Sequence, residues 1–404
     1  MAGGFYLRRV KVSAIGAVAA LTLIAVNVRG QAQSSAQQDA SPKQGLVYPV
    51  TLTQIDAVVM GKDGKFVDGL GPQNFVLDEE GRRQVLTSVE HYVAGAVHGA
   101  ADTPVVIDLK TAHDPEKLRP VVHDRRMIVL FFDMTTMMHD EVERSTAAAA
   151  KFVKEDVTPA DLIAVISFGP QFKVVADFTN NRELLESALH SLAPRKDAGL
   201  QAGGSTDEVS ESYTGGEFGD ETSFNIFTTD NKLYAIKALA EQIGPIPGRK
   251  SVIDFSGGLK KTGEENASAL KAVINAANMD VVSLYEVDMR DSTARGYGGP
   301  VMEDPGNPAK FAAVQESRKM LGNLAHDTGG KLFTDVKDFA PIFKQVQDDS
   351  QDYYLLSYYS TNTKRDGLFR NVSVKLEKVR GAQIKFRPGY YAPLAATVAK
   401  SPLH

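Results

Sequence analysis

The chain has 404 residues, no cysteine and a formal net charge of −5 at pH 7. That length exceeds what one hydrophobic core usually serves, and 43% hydrophobic with 24% charged residues is a globular composition, so two domains and a leader are expected. The absent cysteine excludes disulfide scaffolds, thiolate metal centres and cysteine nucleophiles, and the acidic balance gives no electrostatic reason to expect nucleic acid.

Arg8, Arg9 and Lys11 precede an apolar run from Val12 to Val28, and the small residues Gly30 and Ala32 border a Gln- and Ser-rich tract. This layout predicts a secretory signal over residues 1–30 and a mature chain outside the cytoplasm, periplasmic or secreted. The rival is an uncleaved anchor, because about 17 apolar residues is the low edge of a membrane span. Contact with a membrane is expected only in that case. Residues 31–46, polar and low in complexity, read as a disordered linker.

Residues 47–93 read as a β module of short strands around Val58-Val59-Met60, Asn74 to Leu77 and Gln84 to Val89, with turns at Asp63-Gly64 and Glu80-Gly81. A few such short strands bury too little apolar surface alone, so the module needs a partner. Residues 94–123 read as a connector.

From 124 to 349 strands and helices alternate. The run Met127 to Phe132 suits a strand buried on both faces; it ends in Asp133, with Thr135 two residues on. Ligands of open α/β sheets sit outside the carboxyl ends of the strands, so Asp133 and Thr135 fall where a ligand is expected. The alternative is structural, with both residues capping the helix that follows. Glu141 to Val153 reads as that helix, and Leu162 to Phe168 and Phe172 to Phe178 as strands. Asn180 or Asn181 then caps a helix running through Leu192. Residues 196–230, rich in Gly, Ser, Thr, Asp and Glu, read as a long acidic surface insertion. Helices follow at Leu233 to Ile243, Ala267 to Ala277, Phe311 to Ala325 and Val336 to Val346. Strands are expected at Ser251 to Phe255, Val281 to Val287 and Lys331 to Thr334, and a flexible loop at Gly296 to Pro308. The repetition calls for a mostly parallel sheet with helices on both faces.

Residues 350–393 revert to strands at Tyr353 to Tyr359, Asn371 to Leu376 and Ala382 to Phe386, before a tail at 394–404. The simplest way to bury both β segments is to combine them in one small sandwich-like module, with the α/β domain inserted between. The tyrosines at 353, 354, 358, 359, 390 and 391 fit strand packing better than a binding platform.

The α/β part resembles a von Willebrand factor type A domain. The likeness rests on Ile128 to Asp133 with its following helix, the paired strands Leu162 to Phe168 and Phe172 to Phe178, and Thr179-Asn180-Asn181 opening a helix. Over residues 48–392 the chain is similar to the bacterial extracytoplasmic VWFA-related family, through Val58 to Leu70, Asn74-Phe75 and Asp78 to Gly81. Tyr353 to Tyr358 and Arg387-Pro388-Gly389-Tyr390-Tyr391 complete that likeness. The resemblance implies a Rossmann-like α/β fold that binds protein partners, often through Mg²⁺ or Mn²⁺ in an Asp-x-Ser-x-Ser site helped by a Thr and an Asp from other loops. Here that adhesion site is degenerate. Asp133 and Thr135 match, and the helping Thr falls at Thr228 or Thr229, of which Thr229 is taken as the ligand; Met137 stands at the last hydroxyl position and Gly257 at the Asp position, with Asp254 three residues earlier inside the strand.

No His-Glu-x-x-His zinc spacing and no Gly-x-Ser-x-Gly elbow occurs, and Gly244 to Ser251 has prolines where a phosphate loop needs amides. The expectation is therefore a non-enzymatic exported protein with a protein partner and no small-molecule substrate. The competing classes are an envelope hydrolase with an unrecognised carboxylate site and a metal-free periplasmic scaffold.

Overall fold

The computed structural model describes residues 52–95, 104–193, 221–259, 264–290 and 308–392; for 221–228, 264–265 and 308–311 it describes only the helical backbone. The signal and linker readings, most of the insertion, nearly all of the 296–308 loop and the tail lie outside these residues.

In chain order, β1 (Leu52–Met60) leads through a 3-10 turn (Pro72–Asn74) to β2 (Phe75–Glu79), β3 (Arg82–Arg83) and β4 (Leu86–Val93). Then come β5 (Val106–Ile107), α1 (Pro115–Val122), β6 (Arg126–Asp133), α2 (His139–Glu155), β7 (Asp161–Phe168), β8 (Phe172–Thr179) and α3 (Arg182–Leu192). Next are α4 (Glu221–Ile243), β9 (Lys250–Ser256), α5 (Glu264–Met279), β10 (Val282–Asp288), α6 (Pro308–Asp327), β11 (Lys331–Phe333) and α7 (Ala340–Asp349). The chain closes with β12 (Asp352–Tyr359), β13 (Phe369–Leu376), β14 (Gln383–Phe386) and β15 (Gly389–Tyr391).

Seven strands form one sheet in the order β11-β10-β9-β6-β7-β8-β5. Its first five strands run parallel, while β8 and β5 are antiparallel to their neighbours. β6 lies at the centre with every residue buried, because its alternate side chains feed two cores. Met127, Val129 and Phe131 pack with residues of α4, α5 and α6. Ile128, Leu130 and Phe132 pack with residues of α2, α3 and α7 on the opposite face. On that second face Phe132 stacks on Phe255 at 5.0 Å and Phe152 on Phe343 at 4.2 Å. Full burial of one such side chain contributes about 1.5–3 kcal/mol. This is the mostly parallel α/β fold, covered on both faces, that the alternating pattern implies.

Two four-stranded sheets, β14-β1-β12-β4 and β15-β13-β2-β3, face each other over a core of Ile55, Val59, Phe75, Leu77, Tyr354, Leu356, Tyr358 and Val374. Both flanks of the chain build this module: β1 pairs with β12 and β14, and β2 with β13. At the β2–β3 turn Glu80 and Gly81 both take positive φ, +49° and +73°, the pairing a tight hairpin demands. Tyr358 and Tyr390 donate to the buried Glu79, so these tyrosines pack and pair inside the module.

The sandwich is fastened to the amino-terminal end of the parallel strands by Arg387, which is 1% exposed. It donates to Asp56, to the Ala277 and Val282 carbonyls, to Asn278 and to Ser283, all between 3.0 and 3.2 Å. Asp56 also pairs with Arg249 at 2.9 Å, and Arg249 donates from its amide to Tyr353 and from its guanidinium to Tyr285. Burial alone would push the Asp56 carboxyl up, but the guanidinium charges of Arg387 and Arg249 outweigh it and hold it below its ordinary value.

Several boundaries differ from the sequence reading. α4 starts at Glu221 rather than Leu233, because the Ser-, Thr- and Asn-rich stretch ahead of Leu233 has no apolar period to announce a helix. The last helix, α7, starts at Ala340 rather than Val336. The connector holds β5, only two residues long, and α1, whose periodicity is interrupted by Pro120. Asn181 caps α3 by accepting from the Leu184 amide, whereas Asn180 accepts from Val105.

Candidate functional site

The carboxyl end of β6 delivers Asp133 fully buried. One carboxylate oxygen accepts from the Thr135 amide at 3.0 Å and the Thr135 hydroxyl at 2.5 Å, and the other accepts from the Thr136 hydroxyl at 2.7 Å. Three donors on one carboxylate fold the chain into a tight Asx-type turn. The capping alternative fails here, because α2 begins only at His139, and the acceptor at its start is Glu141, which binds the Met138 amide at 2.8 Å.

The Thr136 hydroxyl also accepts from the Gly257 amide at 3.0 Å, drawing the loop after β9 against the loop after β6. The approach is so close that a Cβ on Gly257 would lie 2.0 Å from the Thr136 carbonyl oxygen. Glycine is required, and a carboxylate at that position has no space.

Sheet register then assembles a group of charges that no contiguous motif contains. Asp254 on β9 lies opposite Phe131 of β6 and opposite Glu286 of β10. The side chains of Phe131, Asp254 and Glu286 thus point to one face, with Asp133 two residues further along β6. α4 crosses that face. Its residues Thr229, Lys232, Leu233, Ile236, Ala240 and Ile243 recur at helical spacing and are all buried. The Lys232 ammonium sits 2.7 Å from Asp254 and 3.3 Å from Asp133, with Lys232 1% exposed.

Burial, and next the negative charge of Asp254, hold the Glu286 carboxyl well above the usual carboxylate range. That favours its neutral form, and neither of its oxygens receives a hydrogen bond from a donor among the described residues. Burial also raises Asp254, with Lys232 only partly offsetting it. For Lys232 burial works against the charge, but Asp254 and then Asp133 prevail and the ammonium is held above its ordinary value. A neighbouring carboxylate on β10, Asp288, is buried and gripped by Arg290 and Arg318 at 2.7 and 2.8 Å.

Asp133 and Thr135 are therefore together, but as carboxylate and donor rather than as two ligands facing one open site. Thr229 lies on α4 rather than on a loop, buried one turn ahead of Lys232. Mg²⁺ and Mn²⁺ want several oxygen ligands with open positions in near-octahedral geometry. Here both Asp133 oxygens are already engaged, and the last hydroxyl position is Met137, whose sulfur faces Ser145 at 3.9 Å. The fifth position is Gly257, closed by Thr136. This donor set does not fit a hard divalent cation.

Lys232 and Glu286 escaped the sequence reading, in which Asp254 figures only as an acid inside its strand. The signal available was a charge inside each of two otherwise apolar strands, Ser251-Val-Ile-Asp-Phe255 and Val281-Val-Ser-Leu-Tyr-Glu-Val287, since acidic residues are almost never fully buried without partners.

Fold and cluster together define an α/β domain with a charge-filled carboxyl edge, joined to a two-flank β sandwich. No family model matches the chain, and no curated protein matches it in sequence. Among solved structures it is similar to an aerotolerance-related membrane protein from Bacteroides fragilis NCTC 9343, at 12% identity and a TM-score of 0.35, covering 55% of this chain and 98% of that one. It is also similar to a conserved hypothetical protein, BatB, from Bacteroides thetaiotaomicron, at 15% identity and a TM-score of 0.30, covering 55% and 96%. A third likeness is to the PilB minor pilin of Streptococcus sanguinis, at 9% identity and 0.31, covering 56% and 62%. Likeness at this level says nothing of activity.

Proposed function

We propose that the chain is an exported, non-enzymatic binding protein of the VWFA-related kind, which meets a protein partner through the carboxyl edge of its parallel sheet. The observation that carries this reading is the sealing of that edge. Asp133, Lys232, Asp254 and Glu286 are each at most 1% exposed, so this cluster serves the interior of the edge rather than its surface. Among the described residues, the loop after β6 and the start of α2 present Thr135, Met138 at 69% exposure, His139 and Asp140 to solvent, a surface suited to contact. Export is supported by the basic, apolar and small-residue order of residues 1–32. The cation-assisted form, with Mg²⁺ or Mn²⁺ on Asp133, Thr135 and Thr229, is not carried forward, because the donor set does not suit it.

The test is fractionation of cells expressing the tagged chain, then chemical cross-linking in the envelope or medium fraction with wild type, Met138→Glu and His139→Glu. The reading expects a discrete cross-linked partner that both variants lose while their melting temperatures stay unchanged. An unaltered cross-link in both variants would remove the carboxyl edge from the reading, and a cytoplasmic chain would remove export.

A further inference from the structure

We propose that Lys232 is this domain's built-in cation, an ammonium fixed among the carboxylates at the ends of β6, β9 and β10 in place of an exchangeable metal. The inference stands whether or not the edge meets a protein partner.

Three acids converge on one face of the sheet, and acids buried without countercharge are strongly destabilising. Glu286, opposite Asp254 in the sheet register, is the acid that burial holds furthest toward its neutral form. Two carboxylates remain. Asp133 is met by three donors of its own turn, and Asp254 has the Lys232 ammonium at 2.7 Å. The same ammonium reaches Asp133 at 3.3 Å, so one positive charge bridges the two strands.

Position makes the same point. Lys232 does not snorkel to solvent; it projects from the buried stripe of α4, directly before Leu233 and three residues after Thr229. A compact ammonium with three donors can serve two carboxylates from one point, as a metal ion would, but it is covalently held and cannot be chelated. Closure of Gly257 onto Thr136 is the matching change in the backbone. It removes the space for another ligand and needs no cation to hold the loops together. The ammonium thereby also fixes α4 across the sheet.

Thermal unfolding of the full mature chain tests this, with millimolar Mg²⁺, Mn²⁺ or chelator, beside Lys232→Met, Lys232→Ala and the double variant Lys232→Met with Asp254→Asn. The wild-type melting temperature is expected to ignore both metal and chelator. Lys232→Met should melt several degrees lower, and the double variant should recover a large part of that loss because the acid nearest the ammonium is gone and Asp133 keeps the three donors of its own turn. Lys232→Ala, with its acids bared and a space opened between them, should gain a saturable stabilisation by divalent metal that wild type lacks. Saturable metal stabilisation of wild type that Asp133→Ala abolishes would overturn the proposal. So would a Lys232→Met variant that melts with wild type. If neither lysine variant folds alone, a double variant that also fails to fold counts against the proposal, and one that folds supports it.

Discussion

Each end of the parallel sheet carries a buried ionic cluster, and the two are built to opposite rules. At the amino-terminal end one acid, Asp56, faces two guanidiniums, and Arg387 spends its donors on five partners drawn from β1, α5 and β10. At the carboxyl end one ammonium faces three acids, one of which stays neutral by keeping a proton. The first is a rigid fork whose planar geometry specifies every neighbour, and it locks the sandwich to the α/β domain. The second is a point charge among carboxylates, which neutralises more than it specifies. Excess cation with many directed hydrogen bonds makes a joint; excess acid with a single cation keeps the architecture of a metal-type edge and supplies its charge from within.

Substitutions can break this contrast. The largest loss is expected from Arg387→Ala, which strands Asp56 and several buried acceptors; about 3–5 kcal/mol should vanish in denaturant unfolding. Arg387→Lys should recover little, because one ammonium cannot reproduce the fork. At the other end, Gly257→Ala forces a methyl group into the Thr136 carbonyl, and a loss of about 1–3 kcal/mol is expected by the same measurement.

The two ends should also answer pH in opposite senses. Asp56 is held below its ordinary value of 3.8, so the folded chain releases its proton more readily than the unfolded one. Its contribution is present above that value and is lost as pH falls through the folded value; Asp56→Asn should flatten the acid limb of a melting-temperature profile. Glu286 is held above its ordinary 4.5, so over the window above that value the folded chain binds more protons than the unfolded one. Stability therefore falls as pH rises there, and Glu286→Gln should melt above wild type at pH near 8, with a flatter slope. The smallest effect is expected for Met138→Glu at the exposed edge, within about 0.5 kcal/mol of wild type in unfolding.

Much of this architecture is legible along the chain. β6, β7 and β8 are apolar runs of strand length, the Asn181 cap stands directly before its helix, and the Glu80-Gly81 turn is visible in two residues. These features are local, so local sequence carries them. The start of α4 was hidden because residues 221–231 hold their helix without an apolar stripe, and β5 because two residues make no pattern. At the site, the sequence singles out Asp133 and Thr135 as a ligand pair or a helix cap, whereas in the fold they form a turn within three residues. Lys232, Asp254 and Glu286 come together only through strand order, register and the rotation of α4, none of which a one-dimensional pattern contains.

The central claim is that the carboxyl edge is charged from within. Its most direct test is calorimetric titration of Mn²⁺ into the wild-type mature chain at neutral pH. The account predicts no saturable heat at millimolar metal. A one-site binding heat that disappears in Asp133→Ala would show that Lys232 yields its place to a cation, and would contradict it.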